Sequence, residues 1–206
     1  MKTAPLLVWV AAVSYCPALA GGQYVLPSVR PQSDNRTFAS ASVDAFISEM
    51  APKFRDANLS VLFSNCWPNT LDTTVAYHDD GKGNDTFIVT GDIPALWLRD
   101  SANQVLPYMS FAAQDAPLAA MLCGLVRRQA RSVLLDAYAN AFNYDASGAG
   151  HQDDVRTPPM TPPVYEGKYE LDSLAAFLKL SRSYWNATED RDCFAFADES
   201  EHLEKG

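Results

Sequence analysis

Thr90-Gly91-Asp92-Ile93-Pro94-Ala95-Leu96-Trp97-Leu98-Arg99-Asp100-Ser101 is the stretch on which the reading of this chain turns. It sets two carboxylates, a guanidinium and an indole beside a Gly and a Pro. An indole covers the apolar face of a pyranose, carboxylates accept hydrogen bonds from its hydroxyls, and an arginine fork fixes the carboxylates in place. These are the parts of a sugar-binding pocket. They also suit a tight structural turn with a packed Trp97 and a local Arg99–Asp100 pair, and composition alone leaves both readings open.

Outward from this stretch, helical patterns dominate. Upstream, Val43, Phe46, Ile47, Met50 and Phe54 recur at helical spacing behind a Ser42 cap, and Pro52 should kink or end that helix. Thr73 to Tyr77 and Thr86 to Thr90 are short β-prone runs around a polar Gly/Asp turn, which predicts one small hairpin. The acids of that turn lack the spacing of a calcium loop. Pro94 delays helix to about Ser101, from where it runs to Ala113. A second helix is expected from Pro117 to Ala141, with Leu118, Met121, Leu122, Leu125, Val126, Val133 and Leu134 on its apolar side. Its Arg127, Arg128 and Arg131 form either a solvated face or partners for nearby acids. Tyr144 to Val164 is a long loop rich in Gly, Asp and Pro, either the frame of a pocket mouth or a surface excursion. A last helix from Tyr169 to Trp185 carries Leu171, Leu174, Leu178, Ser181 and Trp185 along one side.

Four ordered landmarks carry a family resemblance. The Thr90–Ser101 stretch closely resembles the signature of glycoside hydrolase family 125, the metal-independent exo-α-1,6-mannosidases. Asn65-Cys66-Trp67-Pro68-Asn69-Thr70-Leu71-Asp72-Thr73-Thr74 looks like that family's leading segment. Ala139-Asn140-Ala141-Phe142-Asn143 and Tyr165-Glu166-Gly167-Lys168-Tyr169-Glu170-Leu171-Asp172-Ser173-Leu174 look like its next two landmarks, in the same order. The resemblance implies a mainly α, (α/α)6 barrel-like domain, here incomplete, with one small β-hairpin. It implies a mannose-containing glycan as partner and no metal or other cofactor. Asp92, Trp97, Arg99, Asp100 and Asp172 are then the substrate-binding candidates. Trp97 offers a wall, Arg99 holds the Asp100 carboxylate, and Asp92 either binds sugar or caps a turn. Asp172, with Glu170, opens the last helix, where a negative charge is also simply favourable; Tyr169 either stacks or joins the core. No catalytic residue is assigned, because the family's acid and base are expected beyond Gly206.

The ends and the bulk composition add context. Lys2, the apolar run Leu6 to Val13 and Ala18-Leu19-Ala20 read as a signal peptide over residues 1–20, with an uncleaved anchor as the alternative. Residues 21–41 form a polar leader arm, 42–190 the glycosidase portion, and 191–206 an unpatterned acidic tail that resembles nothing in the family. No other segment is apolar enough to span a membrane, so the secretory lumen or the exterior is the expected location. Sequons at Asn35, Asn58, Asn84 and Asn186 suit that route. With Cys16 in the signal, Cys66, Cys123 and Cys193 remain, so one thiol is either buried and free or lacks a partner in this chain. None of the cysteines or the three histidines shows metal-ligand spacing. The net charge of −9, or −10 without Lys2, argues against nucleic acid and anionic membranes. The function expected is that of the N-terminal part of a secreted exo-acting, inverting α-1,6-mannosidase, inactive as this chain. The alternatives are a non-catalytic mannose-binding protein and a non-functional truncated product.

Overall fold

The structure, a computed structural model, describes residues 25–79 and 84–195. The signal segment, the tip of the hairpin turn and the tail from residue 196 lie outside the described residues. The chain is mainly helical. Helix α1 (Ala41–Met50) is capped by Ser40, two residues earlier than the expected Ser42: its hydroxyl accepts Val43 N–H at 3.2 Å and donates to Asp115 Oδ2 at 2.7 Å. Pro52 sits in a single 3-10 turn, Ala51–Lys53, that ends the helical run. Helix α2 (Ala57–Cys66) starts where Asp56 accepts the N–H groups of Asn58 and Leu59. After the short α3 (Asn69–Thr73) comes the expected hairpin. Its strands β1 (Val75–Asp79) and β2 (Asn84–Ile88) are antiparallel, with Val75 opposite Ile88.

The core is organised around the long helix α5 (Ala116–Leu135). Asp115 caps it by accepting Leu118 N–H at 3.0 Å, and the same carboxylate takes the Ser40 hydroxyl, so the starts of α1 and α5 share one anchor. Leu118, Met121, Leu122 and Leu125 are fully buried. Gly124 lets the helix press onto β2, since a Cβ there would lie 2.5 Å from Thr86 Oγ1. Thr86 is itself buried and donates its hydroxyl to the Met121 carbonyl at 2.7 Å. The three arginines of α5 are partners, not a free face. Arg128 and Arg131 both bind Asp85, and Arg127 donates to the carbonyls of Asp192 and Cys193.

Three expectations are corrected here. Helix α4 (Leu98–Val105) begins ahead of Ser101, directly after the two-residue strand β3 (Leu96–Trp97). Helix α5 stops at Leu135 and does not run to Ala141, because Asp136 Oδ1 accepts Tyr138 N–H and turns the chain. The residues beyond form β4 (Ala141–Phe142), which lies between β3 and β5 (Val164–Glu166) in a second, three-stranded antiparallel sheet. Finally, α6 (Leu171–Thr188) buries Ser173, Ala176, Leu180 and Tyr184, while Leu171 and Leu178 of the expected apolar side are 71% and 65% exposed. The helix packs against α4 and α5 through this mixed face, in which Leu180 and Tyr184 fill the core and Ser173 and Ala176 allow close approach.

The polar arm has no core of its own but is not loose. Arg30 reaches Asp72 at 2.7 Å and Asp44 at 2.6 Å, Arg36 pairs with the same two acids, and Asp72 is buried. Asn58 Oδ1 accepts Leu26 N–H at 2.7 Å. At the other end the tail opens with a helical turn, α7 (Arg191–Phe194), joined to α5 by a Cys123–Cys193 disulfide. The remaining thiol, Cys66, is exposed and not buried. Among the described residues no helix is long and apolar enough to cross a membrane.

The disulfide closes a loop between residues 70 apart, so it removes much of the freedom of the unfolded chain. Replacing both Cys123 and Cys193 by Ser is expected to lower stability by about 4 kcal/mol. A urea titration checks this, and an unchanged midpoint would refute it.

Candidate functional site

The site is built up from a buried amide. Gln129 of α5 is fully buried, and its Nε2 donates to the Leu98 carbonyl at 2.9 Å and to Ser101 Oγ at 2.8 Å. Ser101 in turn donates to the Trp97 carbonyl at 2.6 Å. These bonds fix the first turn of α4 and the strand before it, and with them Trp97, Arg99 and Asp100. The turn ahead of β3 is closed by Thr90, whose N–H reaches the Ala95 carbonyl at 3.0 Å and whose hydroxyl accepts Trp97 N–H at 3.3 Å. Asp92 is exposed in that turn and makes no hydrogen bond or ion pair among the described residues, so it does not serve as a cap.

Arg99 gathers acids from two helices. Its Nη1 lies 2.8 Å from Asp172 Oδ2 and 3.2 Å from Glu170 Oε2, and Nη2 lies 3.5 Å from Asp100 Oδ2. The sequence reading pairs Arg99 with Asp100; the structure gives the closer contact to Asp172. Glu170 also accepts the Ser173 hydroxyl at 3.2 Å at the start of α6. Three carboxylates around one guanidinium leave an excess of acceptor oxygens, which suits a polyhydroxy ligand.

An aromatic row stands on the three-stranded sheet. Trp97 meets Tyr165 edge-on at 5.4 Å, and Tyr165 meets His151 at 5.9 Å. Beneath it, Glu166 accepts from Asn140 Nδ2 at 2.7 Å and Lys168 Nζ at 2.6 Å, and lies 3.0 Å from His151 Nδ1. Asn140 is buried, and its carbonyl accepts Leu98 N–H at 3.1 Å, which ties this row to α4. The residues absent from the sequence assignment (Tyr165, Glu166, Asn140, His151) sit mostly within the third and fourth landmarks. Their signal was the dense polar and aromatic run itself. Tyr169 is exposed, touching only the Tyr138 ring at 5.8 Å among aromatic neighbours, and so is no part of the core.

The long loop frames this site; it is not a mere surface excursion. At Gly150 (φ +98°) it runs so close to β5 that a Cβ would lie 2.3 Å from the Tyr165 carbonyl. Asp154 Oδ2 accepts Gly167 N–H at 2.9 Å, and Arg156 pairs with Asp136 at 2.6 Å, both largely buried. The one grouping with ligand-like proximity among the described residues, Cys123, Asp190 and Cys193, is close because its two sulfurs are bonded to each other.

The charges are set by these contacts. The Arg99 hydrogen bond, aided by its charge, holds the Asp172 carboxyl below the usual carboxylate range against the opposing effect of burial. Burial pushes Glu166 up, but the hydrogen bonds from Lys168 and Asn140 and the Lys168 charge outweigh it and leave the group lowered. Both are therefore ionised acceptors at neutral pH.

A sequence model of the metal-independent α-mannosidase family, glycoside hydrolase family 125, matches residues 56–203. The chain belongs to this family. The match runs on through most of the tail, where the sequence reading finds no resemblance. The chain is 45% identical over 182 residues to the meiotically up-regulated gene 157 protein of Schizosaccharomyces pombe, covering 85% of this chain and 36% of that protein. It also resembles a solved Streptococcus pneumoniae metal-independent α-mannosidase in a non-productive complex with α-1,6-mannobiose. That likeness has a TM-score of 0.68 and 39% identity, and covers 77% of this chain and 36% of that one. The helices follow the (α/α)6 family fold over the covered part. The chain thus spans about a third of the length of these relatives.

Because Asp172 is lowered by Arg99, the pair stabilises the fold above the ordinary carboxylate pKa, and that contribution is lost as pH falls below about 4. In Arg99→Ala, the Asp172 carboxyl is expected to titrate higher than in the unaltered protein. Carboxyl ¹³C NMR reads this directly, and an unmoved titration would contradict the assigned pair.

Proposed function

We propose that this chain is the sugar-receiving part of a secreted, exo-acting α-1,6-mannosidase that works by single displacement with inversion, without a metal. The observation that carries the reading is the Trp97–Tyr165 aromatic pair standing beside the Arg99-bound carboxylates Asp100, Glu170 and Asp172. Membership of the family and the mannobiose bound by the structural relative support mannose as the sugar. Trp97 takes the apolar face of a terminal mannose, while Asp100 and Asp172, oriented by Arg99, accept hydrogen bonds from its hydroxyls. The Cys123–Cys193 disulfide and the exposed sequon residues Asn35 and Asn186 support an oxidising, glycosylating compartment.

Inverting hydrolysis needs a protonated carboxyl at the leaving oxygen and a second carboxylate about 6.5–9.5 Å away to activate water. A general acid works with a raised pKa, whereas Asp172 and Glu166 are both lowered. Asp172 is a ligand for a sugar hydroxyl, and Glu166, engaged by Asn140 and Lys168, supports the site from beneath. The acid–base pair is expected in the portion of the relatives that this chain does not span, so that the chain binds without cleaving.

Calorimetry with α-1,6-mannobiose is expected to show binding by the purified chain, weakened about tenfold in Trp97→Ala by loss of the aromatic contact. NMR of the same mixture is expected to show no release of mannose. Turnover would overturn the proposed inactivity, and equal affinity of the Trp97 variant would overturn the pocket.

A further inference from the structure

Half of the His151 side chain is open to solvent, yet it is held on every other side. Its ring lies on Tyr165 with centroids 5.9 Å apart, its Nδ1 is 3.0 Å from Glu166 Oε1, and its backbone N–H donates to the Tyr165 carbonyl at 2.7 Å. This placement depends on Gly150 immediately before it, the one residue type that fits against Tyr165 with that positive φ. An exposed side chain ordinarily keeps its rotamer freedom, and confining it has an entropic cost that solvent exposure does not offset. Beside the Glu166 carboxylate, Nδ1 is the nitrogen that favours the proton, which leaves Nε2 as the acceptor, and Nε2 has no partner among the described residues.

We propose that His151 is a further sugar-binding residue of the Trp97 site, accepting a mannoside hydroxyl at Nε2, and that Glu166 is the positioning residue that orients it. This rests on the mannose-binding reading above. Glu166 suits the role because it is itself locked: Asn140 Nδ2 and Lys168 Nζ donate to it from two different segments, and its residue is buried. The row Trp97–Tyr165–His151 then ends in a group that adds direction to an otherwise apolar wall.

The test combines calorimetry with imidazole ¹⁵N NMR, using α-1,6-mannobiose as the probe. The unaltered protein is expected to bind, with the His151 Nε2 resonance shifting on saturation while Nδ1 stays protonated. His151→Ala is expected to weaken binding about tenfold, as for one well-made hydrogen bond. His151→Gln should recover part of that loss, since its amide oxygen is also an acceptor. Glu166→Gln should weaken binding by a smaller factor and shift the free imidazole away from the Nδ1–H tautomer, which a purely structural role for Glu166 would leave unchanged. No binding by the unaltered protein would sink the mannose-binding reading and this inference together. Binding by the unaltered protein with an unmoved Nε2 resonance, or equal affinity of His151→Gln and His151→Ala, would sink this inference alone.

Discussion

One buried amide carries the geometry on which the site depends. Gln129 lies in the middle of the most deeply buried helix and bonds to two groups in the first turn of α4, a helix that it meets from below. An unmade hydrogen bond is costly in such surroundings, so the two that Nε2 makes leave few alternative positions for α4, while Oε1 finds no hydrogen-bond partner among the described residues. Ser101 relays the constraint to Trp97, and Asn140 repeats it from the neighbouring strand by holding both Leu98 and Glu166. The exposed chemistry of the site is thus referenced to interior atoms and not to surface loops.

Charge around Arg99 follows from that rigidity. The guanidinium cannot satisfy three carboxylates fully, and its contacts are graded from 2.8 Å at Asp172 to 3.5 Å at Asp100. Asp100 Oδ2 is inaccessible to solvent and makes no hydrogen bond. A site with such a surplus of acceptors is poorly suited to anions and well suited to a ligand rich in hydroxyl donors. The same surplus makes the local fold sensitive to acid, since the ion pair with the closest contact is also the one whose carboxylate is most clearly displaced by its partner.

Much of this was legible in the chain before any coordinates. Helix α1, the hairpin and the long helix α5 announce themselves by periodicity, turn composition and length, and Trp97, Arg99, Asp100 and Asp172 are set apart by residue type together with the family resemblance. What could not be read has physical reasons. Strands β4 and β5 have two and three residues, too few for alternation to register, so a sheet that joins three distant segments left no local trace. On α6 the leucines suggested the wrong buried face, because the packed side mixes Ser173 and Ala176 with Leu180 and Tyr184 and is less hydrophobic than the exposed leucine stripe. His151 stood alone in a flexible-looking segment, and only the contact across from Gly150 to Tyr165 gives it a role.

The Cys123–Cys193 link has a mechanical meaning. A load applied to the two ends of the chain crosses from one sulfur to the other and bypasses everything between them. His151, Tyr165, Glu170 and Asp172 ride inside this sheltered loop, while Trp97 and Arg99 lie outside it on the stretched path. Tension would therefore not dismantle the site evenly. It would shear it along one seam, parting Arg99 from Asp172 and Trp97 from Tyr165 while the aromatic and acidic residues of the inner half kept their arrangement.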